Sequence, residues 1–373
     1  MKAWPAVAIL VIEVLLFLAH WFVYSTLIAF WPGFSSAEVA NLRAAMLILA
    51  FSFVIASLLA FRFYNFVVRF FYWIAAIWLG FLSYLFWASC LVRLIWLVFR
   101  LVHLSSNPVV VKPLLAEVLY ALAVLAGLYG LVNVHIVRVR PIAIDLPNLP
   151  MSWRGRRAVM LSDLHLGSIN GVWFCRRMTA LVASFHPDIV FLPGDLFDGT
   201  KGNLGRLVAP LKQLAPPYGI YFSTGNHEEF HSTAQYLEAV SGAGIRVLAN
   251  QLVTVDGLQI AGVFYHESSS PLRMKAAIDG LGLDRTQASI LLNHAPTRLP
   301  IVEQAGFSLQ LSGHTHGGQL VPFTWLTSLI YGRFTFGLQR FGALQVFTST
   351  GCGSWGPPMR VGTRSEIVLM EFV

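Results

Sequence analysis

The chain has 373 residues, enough for two bodies of ordinary size, and is 56% hydrophobic but only 12% charged. A soluble domain carries about 25% charged residues. The net charge of +8 is not gathered into a basic stripe interleaved with aromatics, which argues against a nucleic-acid partner and for flanks that meet anionic lipid head groups. Cys90, Cys175 and Cys352 form no CxxC and no even framework, so they give no support to a disulfide scaffold or a zinc–thiolate site.

In chain order, residues 1–134 are predicted to form a four-helix transmembrane region. The apolar stretches run over about Trp4–Phe30, Ala44–Phe61, Phe70–Val92 and Leu114–Val134, close to the roughly 20 residues that a bilayer core requires. Trp4, Trp31, Tyr72 and Trp73 lie near their ends, where amphipathic rings favour the interface. The first stretch is too long for a signal-peptide core and has no small-x-small site before Trp31, so it reads as retained. The third runs on into residues 94–100, which read as an interfacial helix. Glu13, His20 and Glu117 fall inside the spans; each is either functional or paired within the bundle, and the absence of a second acid or base at helical spacing favours pairing.

Lys2, Arg62, Arg69, Arg138 and Arg140 flank one side of these spans, against Arg43, Arg93, Arg100 and Lys112 on the other. The positive-inside bias predicts a multi-pass protein of the cell's inner membrane with its C-terminal body in the cytoplasm.

Pro141, Pro147 and Pro150 suggest a linker over 135–150. Beyond it, β-rich runs are expected at Ala158–Leu161, Ile189–Leu192, Ile220–Ser223, Ile245–Leu248, Leu258–Val263, Ser289–Leu292, Ser308–Leu311, Leu344–Thr348 and Glu366–Phe372. Helices are expected at Trp173–Phe185 and Thr233–Ala243. Strand–helix alternation followed by strands with few helices predicts an α/β body with a second sheet over 151–373.

Five of these strands end in polar clusters: Ser162-Asp163-Leu164-His165, Gly194-Asp195, Gly225-Asn226-His227-Glu228, Asn293-His294 and Gly313-His314-Thr315-His316-Gly317. Strand ends on one edge of an α/β sheet converge on a crevice. The spacing of the D-x-H and H-x-H pairs suggests that alternate residues of an extended chain offer both side chains to one site. Imidazole, carboxylate and amide oxygen without thiolate suit Mn, Fe or Zn. Seven ligands exceed the needs of one ion and suit two, about 3.5–4 Å apart, acting on an in-line phosphoryl displacement.

These motifs, in this order on these strand ends, resemble the calcineurin-like metallophosphoesterase superfamily over about residues 151–373. The resemblance implies two packed β-sheets flanked by helices. It implies that Asp163, His165 and His316 hold one metal, that Asn226, His294 and His314 hold the other, and that Asp195 bridges them. His227 matches the non-ligand histidine that serves the leaving group, a role suited to a group that titrates near neutral pH. Glu228 matches the family's acidic residue, or else caps the helix after it.

Residues 314–319 and 355–360 look like the membrane-linked branch of that family and are similar to the UDP-2,3-diacylglucosamine pyrophosphatases. That similarity offers Gln319 and Arg360 to a phosphate or head group, while Trp355-Gly356-Pro357-Pro358 reads equally as a rigid turn. The expected activity is hydrolysis of a phosphodiester or pyrophosphate bond in a lipid-linked or small phosphoester, with membrane lipid as partner. A membrane-tethered protein or nucleotide phosphatase, a nuclease and a non-catalytic ligand-binding domain are the competing readings; the intact ligand set argues against the last.

Overall fold

The structure, a computed structural model, describes residues 4–103, 108–230 and 232–373. Lys2, used in the topology reading, lies outside them. The chain divides into two compact units, Met1–Val132 with Gly356–Met359, and Asn133–Trp355 with Arg360–Val373.

The helices α1 (Trp4–Phe30), α2 (Ser36–Arg62), α3 (Phe66–Leu101) and α4 (Pro108–Asn133) are each long and apolar enough to cross a membrane. α2 starts well before the apolar run at Ala44 because Ser35 caps it. The Ser35 hydroxyl accepts from Glu38 N, and the Glu38 carboxylate accepts from Ser35 N, a reciprocal capping box. α3 is one continuous helix rather than a span followed by an interfacial piece. At the expected boundary, Arg93 donates to Thr26 Oγ1 (2.7 Å) and Ser25 Oγ (2.9 Å), so its charge is met without breaking the helix. His20 Nε2 accepts from Trp78 Nε1 at 2.9 Å and Glu117 from Trp31 Nε1 at 3.3 Å. The Glu13 carboxylate has no hydrogen-bond partner among the described residues.

The second unit contains two mixed six-stranded sheets. The first comprises β1 (Val137–Ile144), β2 (Arg157–Met160), β3 (Ile189–Pro193), β4 (Ile220–Ser223) and β5 (Arg246–Val247). The second comprises β6 (Gln251–Val255), β7 (Leu258–Gly262), β8 (Ser289–Leu292), β9 (Leu309–Ser312), β10 (Gly337–Phe341) and β11 (Leu344–Thr348). β12 (Ser365–Phe372) returns to the first sheet, giving the orders β1-β12-β2-β3-β4-β5 and β10-β11-β9-β8-β7-β6. β2 to β5 run parallel, as do β7, β8, β9 and β11.

Helices α5 (Val172–Ala183), α6 (Leu204–Val208) and α7 (Thr233–Ser241) pack on the first sheet, and α8 (Pro271–Asp279) and α9 (Leu299–Ala305) on the second. Successive residues of a strand point to opposite faces. Met160, Phe191, Ile290 and Phe347 therefore fill the space between the sheets with Trp153, while Val159 and Val190 meet α5, and Leu291 and Val346 meet α8 and α9. Burial on both faces is why these strands read as unbroken apolar runs.

β1, β6 and β10 escape the sequence reading. Each lies at a sheet edge, half exposed and mixed in polarity. Half of the segment 135–150, read as a linker, is β1; Pro141 fits there because an edge strand leaves one row of N–H groups unused. A last helix, α10 (Phe323–Tyr331), has no buried residue.

Candidate metal centre

Each polar cluster follows the C-terminal end of a strand: Asp163 and His165 after β2, Asp195 after β3, Asn226 and His227 after β4, His294 after β8, and His314 and His316 after β9. His294 Nδ1 donates to the Pro193 carbonyl at 2.8 Å and so joins the end of β8 to the end of β3, across the two sheets. Alternation along an extended chain is not what gathers the ligands. Asp163, His165, Asp195, His314 and His316 all have φ between +47° and +69°. The chain turns left-handed at these residues, a conformation that costs about 1–3 kcal/mol each away from glycine and survives only where the surroundings enforce it.

The enforcing contacts are visible. Gly194, at φ +87°, lies so close to His294 that an added Cβ would stand 2.5 Å from its Nδ1. A Cβ on Gly313 would collide with the Ser162 and Asp163 side chains. The His314 N–H donates to Asp163 Oδ1 (3.0 Å), and the His227 N–H to Asp195 Oδ1 (3.0 Å), leaving Asp195 Oδ2 turned towards the histidines.

Three groups of nitrogen and oxygen donors result: Asp163, His165 and His316; His165, Asp195 and His227; and Asp195, His294 and His314. His165 Nε2 and His316 Nε2 stand 3.0 Å apart, and Asp195 Oδ2 lies 3.1 Å from His294 Nε2 and 3.8 Å from His165 Nε2. Asn226 Oδ1 is 2.9 Å from His314 Nδ1. His165 Nδ1 is buried without a hydrogen-bond partner among the described residues, a costly condition for a polar atom. Converging donors of this kind fit divalent cations.

Residues 156–318 match the calcineurin-like phosphoesterase family. A zebrafish (Danio rerio) transmembrane protein with metallophosphoesterase domain is 35% identical over 309 residues, covering 77% of this chain and 69% of that protein. The chain belongs to the calcineurin-like phosphoesterase family. An uncharacterised metallophosphoesterase of Campylobacter jejuni is 32% identical over 240 residues, and the match spans 62% of either chain. One from Aquifex aeolicus is 30% identical over 255 residues, covering 67% of this chain and 97% of that protein.

In this phosphoesterase centre, electrostatics keep most imidazoles neutral and free to donate a lone pair. Burial lowers His314 to about 4 and holds His165 and His316 well below the ordinary histidine range. Burial also pushes His294 down, but the Asp195 and Asp163 carboxylates override it and lift the ring to about 10. The two aspartates thus form a negative focus that draws cations.

Glu228, read from the sequence as the family's acidic residue or a helix cap, and the unread Asp198, Phe230 and Trp355 surround the phosphoesterase centre. The buried Glu228 carboxylate accepts from Asp195 N, Phe197 N and Gly225 N, tying the loops after β3 and β4 together. Its place within Gly-Asn-His-Glu was the available signal. The Asp198 carbonyl accepts from His227 Nδ1 at 2.8 Å, which fixes the ring with Nε2 facing Asp195 Oδ2 at 3.9 Å. Nothing in the sequence marks Asp198 for this task, because its backbone performs it. Trp355 and Phe230, both exposed, stand 6.0 Å and 4.6 Å from the His227 ring.

Gln319 and Arg360, offered to a phosphate by the similarity, both have hydrogen-bond partners inside the protein. The Gln319 amide exchanges two hydrogen bonds with the Trp355 backbone, each 3.0 Å. Arg360 is 0% exposed. Its Nη2 donates to the carbonyls of Thr350 (2.6 Å) and Gly353 (2.7 Å) and stands 3.2 Å from His316 Nδ1, while Nη1 donates to His316 O at 3.3 Å.

Proposed function

We propose that this phosphoesterase uses two divalent ions to hydrolyse a phosphodiester or pyrophosphate bond of a lipid-linked or cell-envelope substrate, working at the cytoplasmic face of the membrane. The observation that carries the reading is three adjoining donor groups, linked through His165 and Asp195, in a chain with four helices able to cross a membrane. In this reading Asp163, His165 and His316 hold one ion, Asn226, His294 and His314 the other, and Asp195 both. Bound Mn, Fe or Zn would neutralise the phosphoryl oxygens and lower the pKa of the attacking water.

The protein's own groups do the rest. His227, its Nδ1–H donated to the Asp198 carbonyl, turns Nε2 towards the leaving oxygen and in the imidazolium form passes a proton to it. Trp355, clasped by Gln319, and Phe230 flank that histidine with apolar surface for the departing group. Arg360 orients His316 from behind and does not touch substrate. A nucleotide-diphosphate lipid such as UDP-2,3-diacylglucosamine combines the bond and the acyl chains that this reading requires. The Arg62, Arg69, Arg138 and Arg140 flanks support the cytoplasmic side.

The test is a substrate panel with the full chain in detergent, comparing an artificial phosphodiester, nucleotide-diphosphate lipids, phospholipids and phosphopeptides with Mn, Fe and Zn. Ion-dependent turnover of a lipid-linked diester or pyrophosphate is expected. Turnover of phosphopeptides alone would move the function to a membrane-tethered protein phosphatase.

A further inference from the structure

The apolar face of α10 points outward. Around this nine-residue helix, Thr324, Thr327, Ser328 and Tyr331 share one side. Phe323, Trp325, Leu326, Leu329 and Ile330 share the other, with Trp325 70% and Leu329 84% exposed. Phe336 and Leu338, a few residues further on, are exposed too, and Phe336 lines the pocket described next. A helix in a soluble body buries its apolar stripe against the core. Here Thr324 and Ser328 of the hydroxyl side line a pocket while all five apolar side chains are exposed, which marks a surface that meets something else.

The inner side of α10 borders a pocket of about 560 Å³ in the second unit. Thr324 and Ser328 line it together with Arg138 and Arg140 of β1 and Arg364 and Glu366 next to and within β12. Arg140 is paired with Glu366 at 3.4 Å. The exposed guanidinium groups of Arg138 and Arg364 make no hydrogen bond or ion pair among the described residues, so the pocket holds two uncommitted cations among hydroxyl groups. An apolar helix face beside a basic, hydroxyl-lined pocket is complementary to one end of an anionic phospholipid, with acyl chains for the helix and a phosphate for the arginines. Sequence distance agrees. Arg138 follows Asn133, the last residue of the fourth candidate span, by five residues, a reach of at most about 18 Å for extended chain.

We propose that α10 and the Arg138–Arg364 pocket form a membrane-docking surface of the phosphoesterase unit, with α10 embedded in a bilayer and an anionic lipid phosphate seated in the pocket. The surface adjoins the metal centre, since Tyr331 at the end of α10 lies 6.2 Å from the His314 ring and Gly317 lines the pocket. It is defined by contact with lipid and does not depend on which bond the enzyme cleaves.

The experiment places an environment-sensitive fluorophore on Leu329→Cys in the full chain. The unsubstituted chain treated with the same dye controls for Cys90, Cys175 and Cys352. The labelled protein is reconstituted in phosphatidylcholine vesicles with or without phosphatidylglycerol, with nitroxide on the acyl chains as quencher. With phosphatidylglycerol present, the emission shifts to the blue and is quenched. Arg138→Gln with Arg364→Gln lowers the ratio of embedded to exposed probe about 30-fold, from the loss of two cations near a charged surface. Ile330→Glu, at an exposed position, expels the probe without touching the pocket, and so serves if the double variant unfolds early. A probe that stays in water in both vesicle types overturns the proposal. So does quenching indifferent to phosphatidylglycerol and to the arginines, a blue shift in detergent that grows with protein concentration as a second copy would cause, or an effect of phosphatidylglycerol that inorganic phosphate reproduces.

Discussion

Replacing Arg360 by Met separates two roles for this residue, support of the metal centre and capture of substrate. Methionine keeps the unbranched apolar stem and removes every donor. In the native protein the guanidinium serves the carbonyls of Thr350, Gly353 and His316 and the ring of His316, all inside the body. Burial lowers its pKa to about 10, so it is still charged at neutral pH. Each buried acceptor left without a partner costs about 1–3 kcal/mol, and several are orphaned at once, so the total is on the order of 4 kcal/mol. Taking about 4 kcal/mol, and about 2–4 °C per kcal/mol for a unit of this size, the unfolding temperature of the phosphoesterase unit falls by about 10 °C. His316 loses both its ring contact and its carbonyl partner, so the ion held with Asp163 and His165 is bound more weakly as well. The assay is thermal unfolding of the full chain in detergent together with metal analysis of the same sample. Unchanged unfolding and metal content, with only a raised KM, would refute this reasoning and return Arg360 to the substrate.

Three further outcomes follow from the site. His227→Asn lowers kcat by about 10²–10⁴-fold with metal content nearly intact, because His227 is read as a proton donor; loss of metal along with activity would make it a ligand, as its place beside His165 and Asp195 permits. Asp195→Asn loses most of both ions in metal analysis, since its carboxylate takes part in two of the donor groups; retention of both ions with full activity would remove it from the bridging position. A C-terminal reporter active only in the cytoplasm gives signal and one active only outside gives none; the reverse would place the domain beyond the membrane.

The family of this protein was legible because the motifs that carry it are local: Asp-x-His, Gly-Asp, Gly-Asn-His-Glu and His-x-His each occupy a few consecutive residues after an apolar run. The four long helices were equally legible, since a span of about 20 apolar residues has few soluble explanations. The sheet interiors could be read because their strands are buried on both faces, while β1, β6 and β10 at the edges carry no such signal.

What only the tertiary structure decided is how those motifs meet. The left-handed turns at Asp163, His165, Asp195, His314 and His316 are imposed by neighbours distant in sequence, as where the Asp163 carboxylate accepts from His314 N. The same holds for Arg93, whose partners Ser25 and Thr26 lie on another helix, and for Arg360, whose charge is absorbed by backbone carbonyls that no side-chain pattern records. The outward face of α10 belongs with them. A short apolar helix reads as core from its sequence, and only the packed body shows its apolar side chains exposed while Thr324 and Ser328 line a pocket.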